Sequence, residues 1–165
     1  MAAVDRRLPE PDPWTRAALH LMRAMLNGNR GEMDAVHRDI ACAQDGFREA
    51  GDRAGLALSL TFAADTQTVA GRFTDAITTL EEAIGLLREL GQDDAGMQRV
   101  MLAVAGARSG DVSGAREELT AMTSPGSGTP ARHLVPALLA LGDLARHRGS
   151  VDERARPARR SARSR

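Results

Sequence analysis

His37, Arg38 and Asp39 spell the opening of a protein-kinase catalytic loop. That loop needs an Asn five residues after its Asp to hold Mg²⁺, and position 44 is Gln, so the three residues are expected on a solvated helix face. All 22 basic side chains are Arg and none is Lys. This excludes P-loop, Schiff-base and kinase-type lysine chemistry. The histidines (His20, His37, His133 and His147) show no pair at i, i+4, and Cys42 is the only cysteine. A metal centre needs clustered ligands at defined spacing, so these histidines are expected at helix surfaces or ends. Cys42, beside Ala43 and with no placed cation to lower its pKa, is expected as a small buried hydrophobe. Glu81–Glu82, Asp93–Asp94 and Glu117–Glu118 are adjacent carboxylates. Catalytic carboxylates converge across a cleft, whereas sequence neighbours on a helix point apart, so these are expected to be solvated. No catalytic, cofactor-binding or metal-binding residue is expected, and no enzymatic activity. Trp14, the only Trp, is expected to pack at the start of the first helix, with a partner hot spot as the sharper reading.

What positions these residues is a repeat. Gly31, Gly71, Gly110 and Gly149 lie 40, 39 and 39 residues apart. Five residues after each glycine come Val36, Ala76, Ala115 and, out of pattern, Arg154. Nine after come Ile40, Leu80 and Leu119; twelve after come Ala43, Ala83 and Met122. Steps of 4 and 3 place each set on one helical face. A second amphipathic run precedes each glycine, roughly Trp14–Leu26, Leu56–Val69, Gln98–Ala107 and Pro136–Ala145. The glycines are therefore expected in tight turns between antiparallel helices, with Gly51 and Gly91 stopping the second helix of their pairs. Two-helix units cannot bury their faces alone and must stack. A tetratricopeptide (TPR) period is about 34 residues, and HEAT or armadillo periods are longer. The order in unit two (small residue, turn Gly, Phe73, Ala76, Leu80, Ala83) follows the TPR pattern, with the extra residues in the GQDDAG link.

The expected fold class is thus all-α, a TPR-like antiparallel helix-pair solenoid. Residues 1–12 form a flexible N-terminal segment and residues 13–149 the repeat domain, with units at about 13–51, 55–91, 96–123 and an incomplete 130–149. The Pro/Gly/Ser stretch 123–130 ends the third pair. Pro136 would cost ~3 kcal/mol inside a helix, so the next helix should begin or kink near it. Residues 150–165 read as a disordered, Arg-rich tail. Aromatics are only 2% of the chain, Tyr is absent and 42% is hydrophobic. That mixture suits helices packed through small side chains rather than sheet. Neither a signal-peptide core nor a membrane span is visible, so the expected location is cytoplasmic, with no membrane partner. Net charge is zero overall, but residues 154–165 hold six Arg and no acid. The remaining 1–153 therefore carry 16 Arg against 22 acids, which argues against a DNA-binding face there.

DPWTRA at 12–17, NRG at 29–31, the run Ala43–Leu60 and LLRELG at 86–91 resemble a known array. It is the C-terminal TPR-like array of SARP-type bacterial transcriptional regulators (antibiotic regulatory proteins) and of related large ATPase regulators. The resemblance spans roughly residues 11–149. Members of that family usually carry a winged-helix DNA-binding domain, an activation domain and often an ATPase before the array. None of these occurs here, and GxxxxGK[ST] is absent. Near Arg154 the register slips, as at a frame change or truncated gene end. The resemblance implies a regulatory or sensor module, or a fragment of one.

In such arrays the first helix of each pair lines a concave groove. The register puts Thr61, Asp65 and Thr68 there in unit two, Val100, Val104 and Arg108 in unit three, and Leu139, Asp143 and Arg146 in unit four. The expected partner is a protein or peptide. DNA contact would be indirect or through the tail, and self-association stays open. The alternative is nucleic-acid or acidic-partner binding through the Arg-rich tail.

Overall fold

Asp12 opens the first helix by accepting hydrogen bonds from the Thr15 backbone N–H (3.0 Å) and hydroxyl (2.7 Å). Pro13 follows at the first helical position, where its missing N–H costs nothing. The same device recurs where Asp52 caps with the Gly55 N–H and Asp111 with the Gly114 N–H. The computed structural model describes residues 11–91 and 95–154, the last eight by backbone alone. Among these residues there are seven α-helices and no strand: α1 (Pro13–Arg30), α2 (Met33–Glu49), α3 (Arg53–Val69), α4 (Phe73–Glu89), α5 (Gly96–Ser109), α6 (Val112–Thr123) and α7 (Ala131–Arg154).

Each helix packs on the next, and α5 also meets α3 and α7. The chain is therefore a stack of helix pairs, α1–α2, α3–α4 and α5–α6, followed by α7. The turn inside each pair is built the same way three times. Gly31, Gly71 and Gly110 adopt φ of 76°, 75° and 119°. The N–H just beyond each glycine reaches back to a carbonyl in the last helical turn: Glu32 to Asn27, Arg72 to Gln67 and Asp111 to Gly106. A left-handed residue closing these bonds is costly for any side chain but Gly. Within the first pair, a Cβ on Gly46 would lie 2.8 Å from the Ala17 Cβ, so glycine there lets α1 and α2 touch.

All nine residues at positions five, nine and twelve after the first three turn glycines are buried. Val36 and Ile40 pack with Ala24 and Ala63; Ala76 and Leu80 with Ala64 and Ala105; Leu119 and Met122 with Val100 and Ala137. Every second helix is thus wedged between its own partner and the first helix of the following pair.

The fourth glycine behaves differently. α7 runs unbroken through Gly149 to Arg154, so the expected turn is not formed. A glycine inside a helix costs only about 1 kcal/mol. The position that is small and apolar in the other units is Arg154, so folding back there would bury nothing. Residues 150–154 are helical rather than part of a disordered tail. The remainder of that tail, residues 155–165, lies outside the described residues, as do 1–10 and the link residues 92–94. Pro136 sits at the sixth residue of α7, close enough to the start that it removes only one early backbone bond.

Candidate functional site

Asp65 and Arg108 are exposed. Thr61 and Thr68 are half-buried and donate their hydroxyls to the carbonyls of Ala57 and Ala64. Thr61 Oγ1 also accepts from Gln98 Nε2 at 3.1 Å, which ties α3 to α5. Val100 is buried in the cluster shared by α5, α6 and α7, and Val104 packs against that cluster. Neither lines an open groove, because that stripe turns toward α6. Leu139, Asp143 and Arg146 are exposed on α7, and Arg146 pairs with Asp143. The nine positions therefore form no single continuous lining. What the first helices do share is apolar exposure. Of the thirteen large hydrophobic side chains left exposed among the described residues, eleven lie on α1, α3, α5 and α7. They include Met25 on α1, Leu58 and Val69 flanking Asp65 on α3, and Leu138 and Leu139 on α7.

The chemistry-bearing residues sort differently from their sequence context. Asp39 is buried, not solvated. Its carboxylate meets three groups on α1: His20 Nδ1 at 2.8 Å, Asn27 Nδ2 at 3.2 Å and Arg23 Nε at 3.7 Å. Both oxygens are engaged by structural partners, so this cluster fastens α1 to α2 rather than presenting a base to substrate. Cys42 is exposed, one step of about 100° around α2 from buried Ala43. His133 is buried and accepts from Arg132 Nε at 3.1 Å. Trp14 is half-exposed and donates its indole N–H to Asp52 at 2.7 Å, clipping the start of α1 to the cap of α3. Among the carboxylate pairs, Glu82 lies 3.7 Å from Arg48, while Asp93 and Asp94 lie outside the described residues. Among the described residues no group of three His, Cys, Asp or Glu could hold a metal ion, and no helix is long and apolar enough to cross a membrane.

A cleft of about 600 Å³ runs between α2 and α4 over α3. Ile40, Leu60 and Ala63 make its floor, with His37, Arg48 and Arg72 among the polar residues at its rim. Gln67 lines it too, with a carboxamide oxygen that is buried and without a hydrogen-bond partner. Sequence reasoning missed this cleft. It depends on how far apart two second helices stand, and no residue spacing along one helix reports that. The stacked packing places the chain in the broad class of helical-repeat proteins, and compared with family models, curated proteins and solved structures it matches none.

Proposed function

We propose that this chain is a non-enzymatic, TPR-like scaffold that holds protein or peptide partners. The carrying observation is the gathering of exposed apolar side chains on the first helices of the pairs. Exposed apolar surface that recurs on one class of helix marks contact with other macromolecules. The second helices are nearly free of it, because both of their sides serve the stack. The resemblance to SARP-type arrays extends the reading to a regulatory or sensor module of a bacterial transcriptional regulator.

Capture of partners from cell extract, quantified across variants, tests the scaffold. Asp65→Arg should reduce capture several-fold without lowering the melting temperature, mainly through faster dissociation. Removing residues 155–165 should leave capture unchanged. Capture that follows the Arg-rich segment, ignores Asp65 and falls steeply with salt would replace this reading with nucleic-acid or acidic-partner binding.

A further inference from the structure

The cleft between α2 and α4 lies on the far side of α3 from Asp65. At about 100° per residue, Leu60, Ala63 and Gln67 on the cleft stand opposite the stripe that carries Asp65. Around this cleft the fold leaves polar groups unmet. His37 and Gln44 on α2, Gln67 on α3 and Thr79 on α4 all line it. Among the described residues none of these side chains makes a hydrogen bond or ion pair. The Gln67 carboxamide oxygen is buried as well, and an acceptor shut from water without a donor weakens a fold. Buried polar atoms are nearly always paired, so this one asks for a donor from outside the fold.

The next junction shows that stacking does not require these groups. At the equivalent positions, counted from the turn glycines, Ile77 and Ile84 replace His37 and Gln44, and Gly106 replaces Gln67. Thr79 becomes Glu118, which accepts from Arg99 at 2.6 Å. That junction closes with apolar and paired residues, whereas the first keeps its unmet polar groups over a floor of Ile40, Leu60 and Ala63. The rim cations are already matched: Arg48 lies 3.4 Å from Asp45 and 3.7 Å from Glu82, and Arg72 3.8 Å from Asp75. Charge therefore does not select the ligand, and amide chemistry does. A carboxamide is met by a donor and an acceptor side by side, which each residue of an extended peptide presents along one edge. Successive residues present theirs to opposite edges, and alternate side chains face the same way. Arg48 stands eleven residues after His37 on α2, a wall of roughly 16 Å at a rise of ~1.5 Å. That is the length of about five extended residues at ~3.3 Å each. We propose that this cleft binds a neutral, extended peptide, its backbone held by Gln44 and Gln67 and every second side chain seated on Ile40, Leu60 and Ala63. The site goes beyond the scaffold reading and lies on a different face of α3.

The probe is a pool of five-residue peptides, capped at both ends, with Val or Leu at positions two and four and uncharged residues elsewhere. It is passed over the immobilised full chain, and bound peptides are read by mass spectrometry. Saturable retention of a subset is expected. Gln67→Met and Gln44→Met should each lower that retention at least tenfold, and Asp65→Arg should leave it unchanged. Gln67→Met removes the unmet carboxamide at similar volume, so its melting temperature should equal or exceed that of the wild type. A glutamine that served only the fold would not lose retention while keeping stability. The best-retained peptide, remade with its three central amides N-methylated, should bind at least tenfold more weakly. Absence of saturable retention overturns the proposal, as does retention that survives both glutamine variants or the N-methylation. Retention lost with Asp65→Arg instead would place the peptides on the scaffold face, and only this inference would fall.

Discussion

The first and third helix pairs put different side chains at one shared place. Eleven residues before the turn glycine stand His20 and Arg99; eight after it stand Asp39 and Glu118. In the first pair these meet as His20 Nδ1 and a buried Asp39 carboxylate 2.8 Å apart. In the third they meet as Arg99 Nε donating to Glu118 at 2.6 Å, with both side chains about 40% exposed. The second pair has Leu60 and Thr79 instead, and Leu60 is buried. The apolar residues around this place keep their positions in all three pairs, while the bridge across it varies from buried to wet to absent. The seams therefore hold the stack, and the bridge is a local addition whose worth depends on burial.

The strongest challenge to that comparison is a seam residue. Leu80 is fully buried between α4, α3 and α5, and Leu80→Ala should cost ~2–5 kcal/mol. Glu82→Ala, on the exposed side of the same helix, should stay within about 0.5 kcal/mol. Denaturant unfolding measures both, and equal losses would mean the seams do not carry the stability.

Next come the bridges. Asp39→Ala strands the groups of α1 that it binds, and should cost about 2–3 kcal/mol. Glu118→Ala breaks a pair that water can reach, and should cost under about 1 kcal/mol. Rebuilding the second pair's solution, His20→Leu with Asp39→Thr, should recover more than half of the Asp39→Ala loss, because it removes both members of the buried pair. No recovery would show that Asn27 and Arg23 matter as much as His20.

The smallest effect lies at the entrance to α1. Hydrogen bonds from the Thr15 backbone and hydroxyl hold the Asp12 carboxyl below its ordinary 3.8. Its capping contribution is therefore fully present above pH 3.8 and is lost as pH falls through the lowered folded value. Asp12→Asn keeps an acceptor but cannot titrate, so its melting temperature should fall slightly less steeply on acidification. Identical acid limbs would remove Asp12 from the account.

Much of this architecture could be read from residue spacing. The period of 39 to 40, the turns at Gly31, Gly71 and Gly110, and the burial of Val36, Leu80 and Met122 follow from local rules. An apolar residue at helical spacing has one face to choose, and glycine alone closes the left-handed turn cheaply. The site was less legible. Asp65 is exposed on α3, but Val100, at the equivalent position to Thr61, is buried because its stripe meets α6 rather than solvent. Cys42 and Asp39 exchanged their expected places, since one step around a helix decides between core and water.

By itself, then, the sequence determined the helices, their turns and the seam that stacks them, all set within about twelve residues of a glycine. Only the tertiary structure decided which polar groups met across that seam, how wide a cleft opened between α2 and α4, and that α7 runs on through Gly149. Each of these depends on whether a second helix arrives with an apolar face to bury, and burial is settled between elements rather than within one.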